Sequence, residues 1–192
     1  MQREFKEVCR RDVLGYYARQ PVLEHYEEAA RRVGMWASEE LVFRHSFPDL
    51  EAPLLELGCG TGRICLSLWM LGYQDITATD FSREMIDLAR QAQRRRSTGI
   101  HFAVEDATSL SFPEGSFNGV IFGFNGLMQI PGRENRLRAV REAYRVLKPG
   151  SRFVFTSHDR AFPKWKKFWS VERRKWRKGQ QDESLIDFGD RF

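Results

Sequence analysis

Cysteine is scarce in this chain, three among 192 residues. An odd number cannot pair off completely, which excludes a disulfide-stapled scaffold and points to reduced thiols in a cytoplasmic protein. No apolar run approaches the ~18 residues of a membrane span, so no membrane partner is expected. Met1-Gln2-Arg3-Glu4-Phe5-Lys6 is charged where a signal peptide would be apolar, and export is not expected. The four histidines and three cysteines show no metal-ligand spacing, so no metal site is expected. No G-x-S-x-G nucleophile elbow occurs either. What remains, 192 residues with 42% hydrophobic content and alternating strand and helix signals, reads as a single α/β domain, 1–192.

The most informative stretch is Leu54-Leu55-Glu56-Leu57-Gly58-Cys59-Gly60-Thr61-Gly62. An apolar strand ends at an acidic residue, and three glycines at alternate positions open a helix. Glycine takes φ > 0 and has no Cβ, so the backbone turns tightly and a ligand can approach it closely. Such turns serve dinucleotides, phosphates and sulfonium cofactors alike, so the other residues must choose. Thr77-Ala78-Thr79-Asp80 ends a second strand about 20 residues on, where an acid meets ribose hydroxyls. Ile100 to Val104 is a third strand running into Glu105-Asp106-Ala107, and a carboxylate there can accept from an exocyclic amine. A dinucleotide oxidoreductase is disfavoured: its G-x-G-x-x-G fingerprint would place the third glycine one residue later, and Glu56 would repel a pyrophosphate but attract an ammonium.

With Asn125 and Arg145-Val146-Leu147-Lys148-Pro149-Gly150 added, the ordered set resembles the class I S-adenosylmethionine (SAM)-dependent methyltransferases over roughly residues 50 to 158. The resemblance implies a Rossmann-like, doubly wound, mostly parallel sheet. It also implies SAM as cofactor, S-adenosylhomocysteine as product, and a small-molecule methyl acceptor. By the same resemblance Gly58, Cys59 and Gly60 would cradle the amino-acid end, Glu56 would orient its ammonium, and Asn125 or its carbonyl would receive that ammonium. Asp80 would bind the ribose, Asp106 the adenine amine and the Ala107 N–H a ring nitrogen. Phe81 and Met85, four apart on a helix, would close over the adenine or pack on the sheet. The plainer alternatives are an N-cap for Asp80, or Ser82 in its place, and turns for Asp106 and Asn125.

Residues 1–47 read as a helical cap, with Ser38 as a cap residue before Glu39-Glu40. Such helices fold over the cofactor in the family the chain resembles, which makes Tyr16, Tyr17, His25, Tyr26 and Trp36 candidate contacts, Tyr17 foremost. Predicted elements then follow: helix 63–71, strand 76–79, helix 83–95, strand 100–104, strand 117–122, helix 133–147 ended by Lys148-Pro149-Gly150, and strand 152–156. No catalytic residue is assigned. His158 beside Asp159 and His25 are candidate bases, a polar turn being the simpler reading of the first pair.

The formal charge is +5, and Lys164 to Lys178 holds eight basic residues against one acid, with Trp165, Phe168, Trp169 and Trp176 at helical spacing. A crossover helix packed on the sheet, a basic face for nucleic acid or anionic lipid, and a pocket wall are the competing readings. Phe124-Asn125-Gly126-Leu127 lacks the Asn/Asp-Pro-Pro-aromatic motif of base N-methylating enzymes, which argues against that chemistry and leaves other RNA methylation open. Residues 159–192 are shorter than the seven-stranded pattern requires, with Leu185-Ile186-Asp187-Phe188 as the start of a sixth strand. The expectation is a truncated chain whose fifth strand is an exposed edge able to pair with a second copy. A module that binds SAM or a partner without catalysis is the remaining alternative.

Overall fold

Five apolar segments form one parallel sheet in the computed structural model, which describes residues 9–157, 159, 162–181 and 188. The strands are β1 (Leu54–Leu57), β2 (Ile76–Asp80), β3 (His101–Val104), β4 (Phe117–Phe122) and β5 (Leu147–Phe155), in the order β3-β2-β1-β4-β5. Every pairing is parallel, as the α/β reading requires. Helices α1 (Arg10–Tyr17), α2 (Gln20–Arg32) and α3 (Ala37–Ser46) precede the sheet. The connections are made by α4 (Arg63–Met70), α5 (Arg83–Arg94) and α6 (Arg133–Val146), and α7 (Lys166–Arg177) follows β5.

A parallel sheet is covered on both faces, so its inner strands read as near-continuous apolar runs. Leu54 packs with Ile64, Leu68, Ile76 and Ile86 on the side of α4 and α5. Leu55 and Leu57 pack with Val120, Phe122, Ala139 and Ala143 on the side of α6. Each of these leucine, isoleucine, valine and phenylalanine side chains, when fully buried, contributes about 1.5 to 3 kcal/mol. The chain leaves β1 toward β2 on one side and reaches β4 on the other. The loops after β1 and β4 therefore diverge and leave a crevice at the carboxyl edge.

Three local expectations are corrected. Trp36, not Ser38, is the N-cap of α3, and the Glu39 carboxylate accepts from the Trp36 N–H at 2.9 Å. Helix α6 ends at Val146 and β5 begins at once, because Leu147 already pairs with Phe117. The register shift after that pair and the φ of +81° at Gly150 absorb Lys148-Pro149-Gly150 within the strand. The basic aromatic segment is a helix as predicted, but no residue of α7 is buried, so it is not a crossover helix sunk onto the sheet. Trp165 and Phe168 are 48% and 42% exposed, while Trp169 and Trp176 lean on Phe188. His158 and Leu185 to Asp187, named above as a base and a strand, lie outside the described residues.

Candidate functional site

A cavity of about 630 Å³ lies at the carboxyl ends of β1 to β4. Glu56 is the penultimate residue of β1, Asp80 closes β2, Glu105 and Asp106 follow β3, and all four of these acidic residues line the cavity. Gly58, Cys59, Gly60, Phe81, Met85 and Ala107 line it too, and Tyr17 faces it from α1. Ten of the eleven predicted cofactor-site residues thus line this cavity. Asn125 is not among the lining residues. It sits at φ +61°, its N–H donates to Thr156 Oγ1 at 2.7 Å, and its carbonyl accepts from the Met128 N–H at 2.9 Å.

The glycine loop is held in an unusual way. Gly58 has φ +63°, and a Cβ there would come within 2.7 Å of the Phe122 ring, so no larger residue fits. The Gly60 N–H donates to one Asp80 carboxylate oxygen at 2.8 Å and the Ser82 N–H to the other at 2.9 Å. The Cys59 N–H donates to the Thr79 carbonyl and the Gly62 N–H to the Cys59 carbonyl, both at 2.9 Å. Three of the loop's donors are therefore spent inside the protein, which makes it a poor phosphate cradle and leaves its acidic neighbours to define the local charge. Asp80 does not cap α5, since Ser82 Oγ accepts from the Met85 N–H. With the Gly60, Ser82 and Phe81 N–H groups on its two oxygens, Asp80 keeps one acceptor position for a ligand hydroxyl.

Glu56 is 2% exposed, and its Oε2 has no hydrogen-bond partner among the described residues. Burial raises its pKa from the ordinary 4.5 to about 7, against the opposing pull of Cys65 and of the Arg63 charge. Burial likewise raises Asp80, with its backbone hydrogen bonds opposing. Burial pushes the Cys59 thiol well up, and Cys65 to about 11, so neither is a thiolate nucleophile near neutral pH. Tyr17 and Tyr26, hydrogen-bonded to one another, are also raised by burial. Asp106 Oδ1 accepts from the Thr108 N–H at 2.9 Å and from its hydroxyl at 2.8 Å, an Asx turn that coexists with its place on the wall.

Tyr26 joins Tyr17 on the cavity from the amino-terminal helices, with Cys9, Val13 and Ala29. Tyr16, His25 and Trp36 do not line it. Sequence reasoning missed Arg63. This cavity residue packs its guanidinium on Glu39, both nitrogens at 2.7 Å, and on the Gly34 carbonyl at 2.7 Å. It also lies over the Phe124 and Trp36 rings. An arginine followed directly by the apolar run Ile64-Cys65-Leu66 was the available signal. The opposite wall, Gln129 to Gly132 with Asn135 and Arg138, carries no motif and was also missed.

Residues 54–150 match the family model of a methyltransferase domain. A demethylmenaquinone methyltransferase from Leptospira interrogans is 40% identical over 108 residues, 53% of this chain and 41% of that protein. The chain thus spans about two fifths of the length of this curated relative. A SAM-dependent methyltransferase from Methanosarcina mazei superposes with a TM-score of 0.60 at 29% identity, covering 72% of this chain and 66% of that one. The [4+2]-cyclase SpnF gives 0.56 at 30% identity over 60% of this chain and 42% of its own.

Proposed function

Because this chain belongs to the family of methyltransferase domains, we propose that it transfers a methyl group from SAM to a small-molecule acceptor. The observation that carries this is the unpartnered, buried Glu56 oxygen on a cavity wall with three other acidic side chains, a setting that suits a ligand bearing an ammonium. Gly58, Cys59 and Gly60 shape the space for the amino-acid end, and Glu56 accepts from its ammonium. Asp80 accepts from ribose hydroxyls, Asp106 from the adenine amine, and the Ala107 N–H donates to the ring. Phe81 and Met85 pack beside the adenine, Tyr17 and Tyr26 close the cavity from above, and Asn125 keeps to its turn. The bound cofactor supplies an electrophilic methyl carbon on a sulfonium.

Displacement at that carbon asks the protein to hold a nucleophile in line and to exclude water. The acceptor lies against the opposite wall, where Ile130 and Pro131 give apolar contact and Asn135 and Arg138 give polar groups. The relative's printed name supports a small organic acceptor. A reducing compartment belongs to the same reading, with Cys9, Cys59 and Cys65 all free thiols. So does pairing of two copies along β5, which pairs with no strand but β4 among the described residues.

Calorimetric titration with SAM and S-adenosylhomocysteine is the test. Binding of both with micromolar affinity is expected, and no heat with either overturns the proposal. The similarity to SpnF favours a second reading, a scaffold that binds the same ligand for a reaction other than methyl transfer. Ligand binding without turnover across a panel of acceptors would select it.

A further inference from the structure

Helix α7 and the turn before it combine charge and exposed rings in a way the cavity does not use. From Lys164 to Lys178 there are eight basic residues and one acid. That acid, Glu172, is already engaged by Lys175 at 3.0 Å. Lys166, Lys167, Arg174, Arg177 and Lys178 form no ion pair among the described residues. At about 100° per residue Trp165, Phe168, Trp169 and Trp176 fall in one stripe, with basic residues around the rest. Phe162, Trp165 and Phe168 are 51%, 48% and 42% exposed. They present apolar surface to water at the end of the stripe that Phe188 does not cover.

We propose that this face binds the surface of an anionic lipid bilayer, with the exposed rings at the boundary between headgroups and acyl chains and the lysines and arginines on the phosphates. Charge complementarity selects an anionic partner, and ring geometry selects lipid over nucleic acid. Trp165 and Phe168 meet edge to face at 76°, and so do Phe168 and Trp169. Perpendicular neighbours offer no parallel platform on which successive bases stack, whereas a fluid apolar layer accepts rings in any orientation. The contact is peripheral: among the described residues no helix is long and apolar enough to cross a membrane. It revises the expectation that no membrane is a partner. A helix of 12 residues lies along roughly 18 Å of surface, so the attachment is weak, reversible and sensitive to salt.

Flotation of the full chain with vesicles of equimolar phosphatidylglycerol and phosphatidylcholine, at low and high salt, tests this, with pure phosphatidylcholine vesicles and bulk tRNA as comparisons. The expected result is binding to the anionic vesicles at low salt with a blue shift of tryptophan fluorescence, loss at high salt, and no binding to the neutral vesicles. Lys166→Glu with Lys167→Glu should weaken binding by at least about tenfold. Trp165→Ala with Phe168→Ala should weaken it several-fold; these exposed positions leave the fold intact, which circular dichroism checks. No binding to anionic vesicles at low salt overturns the proposal. So does unchanged binding of the Trp165 and Phe168 double variant, or tighter binding to tRNA than to vesicles.

Discussion

Helices α5 and α7 are of equal length, 12 residues each, and both carry an apolar stripe on a charged background, yet they have opposite fates. Helix α5 buries Met85, Ile86 and Ala89 against β2 and β3. Helix α7, with more aromatic surface to hide, has no fully buried residue. A periodic pattern shows that a helix has a face; what covers that face is decided by the strands on either side. Helix α5 starts at its N-cap Ser82, two residues beyond the end of β2, and its stripe is aimed at the sheet. Helix α7 follows a turn, Pro163–Trp165, and is free of that constraint.

The contrast can be broken by measurement. The sheet end should be the sensitive one. Arg63→Met leaves Glu39, 6% exposed, as an unpaired buried charge, and should cost about 3 to 5 kcal/mol in urea unfolding. Ile86→Ala on α5, at a site with no exposure, should cost about 2 to 5 kcal/mol. A cost under about 1 kcal/mol for Ile86→Ala would remove the distinction between the helices.

Glu56 sharpens the comparison through pH. Its folded pKa, about 7, lies above the ordinary 4.5, so between those values the folded state holds a proton that the unfolded chain has released. Stability should therefore fall as pH rises from about 4.5 to 7, by up to about 3 kcal/mol. Glu56→Gln should be more stable than the parent at pH 8, and the two should converge toward pH 4.5 in thermal scans. SAM affinity should move the other way in the parent, rising roughly tenfold from pH 6 to 8 as Glu56 ionises, and that pH dependence should vanish in the glutamine variant. Asp80→Ala removes both the tether on Gly60 and the ribose acceptor, and calorimetry should record a loss of at least about tenfold in SAM affinity, or about 1.4 kcal/mol. Trp165→Ala closes the series: a change within about 0.5 kcal/mol in urea unfolding is expected of an uncovered ring. A loss as large as that of Ile86→Ala would show that α7 is packed after all.

The parts of this molecule legible in its sequence are those written locally. Strand β4 spans Phe117–Phe122 as predicted, and the glycine loop with Glu56, Asp80 and Asp106 was readable because each acid lies within two residues of the carboxyl end of its own strand, so parallel pairing alone brings the three together. The wall at Gln129 to Arg138 was not readable, since nothing in Ile130-Pro131-Gly132 marks it until β4 and α6 are in place. The start of β5 was hidden by Pro149 and Gly150, which mimic a turn and here sit in an irregular stretch of strand. Arg63 was hidden because its partner, Glu39, is 24 residues away and belongs to a different helix.

Two residues, Thr61 of the glycine loop and Arg63 at the start of α4, hydrogen-bond to the amino-terminal helical segment. Thr61 Oγ1 donates to the Tyr26 carbonyl at 2.9 Å, and Arg63 spans Gly34 and Glu39. Helices α2 and α3 are thereby moored to the same few residues that form the floor of the cavity and cannot lift without disturbing it. Helix α1 has only eight residues, lines the cavity with Val13 and Tyr17 and packs Tyr17 edge to face on Tyr26. Local opening of this single short segment would uncover the cavity. Protease cleavage between Arg10 and Arg19 should accordingly be fast in the free protein and slow once the cavity is filled.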